Sequence, residues 1–177
     1  MIQIAYGQSA FVSGWIVAPM ALTSMFGKSA VIKILDRFGY RSTLMVNTFI
    51  IGVLICCLAI PGAHSSIYWY VPILLLLGFF NSIQFTSMNT ISIADLRAYH
   101  TSSGNSLVAV NQQFAIGFGI SFGLIVLKLF EGDIKLIHNE THNAYRYTFL
   151  IMGAITIFSG LVFRRLHSKD GENMRSV

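Results

Sequence analysis

Asn81, Gln84 and Met88 are spaced so that, at about 100° per residue, they share one face of a helix, with Phe85 and Asn89 to one side of it. Their stretch, NSIQFTSMNT, follows directly on the apolar run VPILLLLGFF. A second stripe has the same character: Asn105, Gln112, Ile116, Gly119 and Gly123 share a face, and Ser106 and Gln113 share the neighbouring one. Carboxamides carry no charge, so the chemistry they offer is hydrogen bonding without proton transfer. Buried without a partner, each costs roughly 1–3 kcal/mol. Two arrangements remove that cost: hydrogen bonds between helices, worth about 1 kcal/mol each in membranes, or the lining of a path that recognises a solute without fixed charge. The spacing leaves both open.

The other dense cluster is charged. In GKSAVIKILDRFGYRS, Asp36, Arg37, Gly39 and Arg41 fall within six residues. Gly39 permits a tight backbone turn, while Asp36 and Arg41 can pair with opposite charges or with helix ends. Such a loop can latch two helices in one conformation and release them in another. Further on, His138 and His142 flank Glu140 in HNETH, without the His-Glu adjacency of the zinc-protease motif. That segment reads as a solvated loop, so no metal and no cofactor is expected, and all five histidines (His64, His100, His138, His142 and His167) are expected in loops or the tail. The NET at Asn139 matches a glycosylation sequon, which has meaning only in a secretory-pathway protein. Cys56 and Cys57 are adjacent in mid-helix, cannot form an ordinary disulfide with each other, and read as packing residues. No nucleophile and base fall together, so the chain does not read as an enzyme.

Long apolar elements must position these groups. The chain is 54% hydrophobic and 11% charged, too apolar for a soluble domain. Five stretches lack Asp, Glu, Lys and Arg: Phe11 to Phe26, Leu44 to Ile60, Tyr68 to Thr90, Asn105 to Leu127 and Tyr147 to Phe163. Each approaches the roughly 20 residues that cross about 30 Å of hydrocarbon as a helix. The predicted fold is therefore all-α and transmembrane, with five spanning helices over about 11–27, 44–60, 68–91, 104–128 and 147–164, and a polar tail at 166–177. No carboxylate, lysine or arginine lies inside a span, so the chain offers no embedded proton-coupling group.

The net charge of +5 is explained by orientation. Lys28, Lys33, Arg37, Arg41, Arg97, Arg164, Arg165, Lys169 and Arg175 fall on one side of these spans, against Lys128, Lys135 and Arg146 on the other. The positive-inside bias makes the first side cytoplasmic, with the N-terminus outside and the C-terminus inside. No nucleic-acid partner is expected, although the basic tail can touch anionic headgroups. Met1 to Gln8 has neither a basic n-region nor a small-residue cleavage site, so no signal peptide is expected. Pro19 predicts a kink in the first helix, and Gly119 and Gly123 have the small-xxx-small spacing of close helix packing.

At the charged loop the sequence resembles the major facilitator superfamily, whose signature runs roughly G-x-x-x-D-R-x-G-R-R/K. The matching stretch is ILDRFGYR, with Ile32 at the leading glycine position. FVSGWIVAPMALTSMFGK and NSIQFTSMNTISIADL...TSSGNSLVAVNQQ are similar to the fourteen-helix drug:proton antiporter branch, the EmrB/QacA type, over about residues 3 to 165. The resemblance implies the last five helices of an inner-membrane exporter, proton-coupled when complete. It places Asp36, Arg37, Gly39 and Arg41 at a cytoplasmic gate, and Asn81, Gln84, Asn89, Asn105 and Gln112 in or near the path for a small apolar or weakly polar solute. It also implies a missing N-terminal half as partner, beside the lipid bilayer, and no independent transport. The alternative is a non-transporting interaction module, or a split-transporter subunit, that pairs with another polypeptide.

Overall fold

A computed structural model describes residues 9–61, 67–93, 101–132 and 140–165. Helix α1 runs Ala10–Cys57, α2 Tyr70–Ile93, α3 Thr101–Gly132 and α4 Glu140–Ser159, with short 3-10 segments at Ile67–Trp69 and Gly160–Arg165. There is no strand among the described residues. All four helices are long and apolar enough to cross a membrane.

The 48 residues of α1 would extend about 72 Å if straight, more than twice the hydrocarbon thickness. The helix does not run straight. Ser24 and Asn47 are 23 residues apart, yet the Ser82 hydroxyl donates to Ser24 O (2.6 Å) and the Asn47 amide donates to Phe80 O (2.9 Å). Both halves of α1 therefore flank one short stretch of α2. Apolar packing agrees: Val12 and Ile16 meet Leu54, Ile55, Leu58 and Tyr70 at one end of the bundle, while Val31, Leu35, Tyr40 and Ile83 pack together at the other. The reversal is at Gly39, with φ 73° and ψ 164°. That region of backbone space is open essentially to glycine alone.

One sequence expectation is redrawn here. Residues 28–38, expected as loop, continue the helix, because Lys, Ala, Leu and Arg favour it and neither Gly nor Pro intervenes between Lys28 and Phe38. The helical backbone conformation is lost at Gly39, while Pro19 lies inside the helix. Thr23 lies one turn after that proline, and its hydroxyl is within reach of Pro19 O, Met20 O and Leu75 O, tying the proline turn to α2.

Close approach follows from small residues. A Cβ on Gly27 would stand 2.7 Å from Phe79 O, and one on Gly78 would collide with Met20 O. Likewise Gly52 and Gly153 face each other where α4 crosses the second half of α1, and a Cβ on either would meet the other's carbonyl oxygen at about 3 Å. Cys56 packs against Gly153 in the same crossing, the packing role expected of it. α4 begins at Glu140, seven residues earlier than expected, so His142 has helical backbone. Arg146 on its first turns donates from Nε to Ala59 O (2.7 Å), capping the end of α1.

Substituting Gly39→Ala forces a Cβ into a conformation that costs on the order of 1–3 kcal/mol. Denaturant unfolding in detergent should register that loss. Gly14→Ala, with nothing within 4 Å of the added Cβ, should be neutral or slightly stabilising.

Candidate functional site

The amides predicted to form stripes divide into two groups. Gln84 on α2 is enclosed by α1: the Asn47 amide donates to Gln84 Oε1 (2.8 Å) and to Phe80 O, and Gln84 Nε2 donates to Thr48 Oγ1 (2.8 Å). The Thr48 hydroxyl in turn donates to Leu44 O. Asn47 and Thr48 are each only 4% exposed. This is a relay in which each of the three side chains has a partner, and it joins the second half of α1 to α2.

The second group is open. Gln112 on α3 donates from Nε2 to Asn89 Oδ1 on α2 at 2.5 Å. Among the described residues neither side chain makes another hydrogen bond, so Asn89 keeps its N–H donors and Gln112 its carbonyl oxygen. Asn81 and Asn105 are exposed and are not joined to this pair, while Phe85 and Met88 flank it, exposed as well. The face of α3 beyond Gln112 is bare. Phe114 is 74% and Phe118 77% exposed, and with Gln113, Gly117 and Ser121 they border an open groove of about 550 Å³. Nothing stands within 4 Å of a Cβ added at Gly119, and only the Met152 methyl approaches Gly123.

At the Gly39 reversal, Asp36, Arg37 and Arg41 are exposed together on the same end of the bundle. Arg37 Cζ lies 5.8 Å from the centroid of the Phe38 ring, a cation–π distance. No group of His, Cys, Asp or Glu among the described residues is arranged to hold a metal. His64, His100, His138, His167 and Asn139 lie outside the described residues, as do residues 166–177.

Sequence reasoning missed Asn47 and Thr48. Their signal was present: an amide and a hydroxyl inside an apolar span, with the same need for partners that singled out Gln84. It also passed over Gly52 and Gly153, whose close contact is not visible until the two helices cross.

The sequence profile of the Major Facilitator Superfamily matches residues 1–176. Over 177 residues the chain is 33% identical to HsrA of Haemophilus influenzae, a protein named for transport, covering 100% of this chain and 38% of that one. Over 175 residues it is 35% identical to MdtD of Salmonella paratyphi B and of Salmonella newport, named for multidrug resistance, covering 98% of this chain and 37% of theirs. The chain thus spans under two fifths of the length of these curated relatives. No solved structure gives a significant match.

Interhelical hydrogen bonds in membranes average about 0.6 kcal/mol and rarely exceed about 1.7 kcal/mol. A double-mutant cycle on Asn47→Ala and Gln84→Ala, read by unfolding in detergent, should give a coupling energy in that range. Gln84 with Asn89, which share no contact, should show none.

Proposed function

The chain belongs to the major facilitator superfamily, a family of transporters, and with its apolar helices it is a multi-pass protein of the inner membrane; from that premise we propose that it forms the C-terminal part of an exporter of small apolar or weakly polar solutes, proton-coupled when complete. In this reading α1 crosses the membrane twice, because it doubles back at Gly39, and the chain makes five crossings. The N-terminus lies outside, and the Gly39 end, with its basic residues, faces the cytoplasm.

The observation that carries this reading is the contrast between the two amide groups. Gln84 is consumed by Asn47 and Thr48 and holds the bundle together. Asn89 and Gln112 pair across α2 and α3 with donors and an acceptor to spare, beside exposed Phe85 and Met88 and a bare α3. Uncharged donors and acceptors among aromatic and thioether surfaces suit a weakly polar solute, and such groups belong at the interface between halves, where alternating access occurs. Asp36, Arg37, Gly39 and Arg41 act as the cytoplasmic gate, and Asn81 and Asn105 join the path wall once the opposing half is present. The bare face of α3 makes independent transport by this chain unfavourable, because the path has only one wall.

A second reading shares that observation: a membrane module, or split subunit, that pairs through α3 with another polypeptide without transporting. Reconstitution separates them. In sealed vesicles the chain alone should not accumulate a fluorescent dye against its gradient, and accumulation by the chain alone overturns the first reading. Co-expression with the remaining N-terminal portion of MdtD should restore dye export, whereas stable pairing without export favours the second. In full-length MdtD, alanine at the positions matching Asn89 and Gln112 should lower export about tenfold, equivalent to roughly 1.4 kcal/mol. Alanine matching Gln84 should lower protein stability more than the solute's apparent affinity.

A further inference from the structure

Gln112 Nε2 donates to Asn89 Oδ1 across α3 and α2. A carboxamide carries an amino group with N–H donors and a carbonyl acceptor, so one bond between two carboxamides leaves the amino group of one and the carbonyl oxygen of the other free. Turning both amides over exchanges these roles and leaves the same two kinds of group. In the present arrangement they are Asn89 Nδ2 and Gln112 Oε1. Neither is sealed, because the buried side-chain polar atoms without a partner among the described residues are Thr43 Oγ1 and Ser87 Oγ.

The surroundings decide what can satisfy these two groups. α2 begins and α3 ends at one end of the bundle, where Tyr70 packs with Leu58, Arg146 caps α1 and the Phe130 ring lies 5.3 Å from that of Tyr147. The two helices therefore run antiparallel, and Phe85, one turn before Asn89, is level with Ile116, one turn after Gln112. Both are exposed, at 51% and 53%. Gly119 continues the Gln112 face, with nothing within 4 Å of an added Cβ. An apolar body thus has open space beside the amide pair. Charge has no such welcome: no Asp, Glu, Lys or Arg occurs from Tyr68 to Thr90 or from Asn105 to Leu127, so neither span offers a counter-ion, and an ion taken from water without one costs far more than a neutral polar group.

We propose that the pair selects neutral solutes presenting a carbonyl acceptor and an N–H donor on one group: primary or secondary carboxamides, lactams and ureas attached to an apolar body. The solute carbonyl accepts from Asn89 Nδ2, its N–H donates to Gln112 Oε1, and its body lies over Phe85, Ile116 and Gly119. An ester of the same shape lacks the donor and leaves the Gln112 carbonyl without a partner, which is how a hydrogen-bonding site rejects a close analogue. The proposal rests on reading this pair as part of a solute path and adds what the solute must present.

The test is equilibrium dialysis of the purified full chain in detergent micelles, with empty micelles as reference, against probes that share one ring system: naphthamide, methyl naphthoate and (naphthylmethyl)trimethylammonium. Naphthamide should bind about tenfold more tightly than either of the others. Gln112→Met, which keeps the length and removes both polar atoms, should bring amide and ester to equal affinity. Gln112→Glu keeps the shape and adds a carboxylate, so it should reverse the order in favour of the ammonium probe, an effect that a merely structural role would not produce. Gln113→Met, on the neighbouring face, should leave the preference intact. The proposal is overturned if the unaltered chain binds all three probes alike or none of them, if it prefers the ammonium, or if Gln113→Met costs as much as Gln112→Met. Vesicle export by the chain paired with the N-terminal portion of MdtD separates this from the exporter reading. Export without preference for the amide removes only the selectivity, and preference in dialysis without export removes only the exporter.

Discussion

Hydrocarbon offers no hydrogen-bond partner, and every polar atom placed in it must be met by another part of the protein. That constraint organises the contacts between α1 and α2. Thr23 reaches Leu75 O, Ser82 reaches Ser24 O, and Asn47 reaches Phe80 O and Gln84. Each bond alone is weak. Their effect is on register, because sliding α2 by one turn against either half of α1 would leave several polar groups in apolar surroundings at once. The glycines at 27 and 78 act in the same direction, since the backbones can approach so closely only where those two positions face Met20 and Phe79. Specificity in this bundle comes from partners that fit at a single alignment, while apolar packing around Leu44 and Ile83 supplies the general attraction.

By the same constraint α3 stands apart. It touches the bundle through Gln112 to Asn89 at one level and through the Phe130 and Tyr147 rings, 5.3 Å apart, at another. Between these points its glycines and serine meet little, and its phenylalanines are bare. A helix with amides and small residues on an open face is suited to a protein surface, since lipid cannot satisfy the amides and gains nothing from the small residues. The relatives, of which this chain spans 37–38%, have ample further sequence to supply such a surface.

Much of this was legible in the sequence. The all-helical membrane fold followed from charge-free runs of spanning length, and the packing role of Cys56 from its place in one of them. Gln84 and Gln112 were both recognised as groups in need of partners. Their division into a relay and an open pair was not readable, because spacing along a helix gives a side chain's face and says nothing of what stands opposite. Asn47 escaped notice for the same reason: it is one amide in its own span, without a stripe, and its meaning lies in Gln84 on another helix. The stretch from Lys28 to Phe38 reads as loop by its charges, yet it is helical. Lysine and arginine are good helix formers, and the helix continues until a glycine ends it.

Gly39 then links two features that the sequence keeps separate. Its backbone conformation turns α1 back on itself, and the same conformation removes the carbonyl to which Thr43 would otherwise donate. The charged residues at the reversal and the unsatisfied hydroxyl beneath it are therefore consequences of one break. Any movement that straightened or deepened this turn would shift Arg37 and Phe38 relative to Thr43.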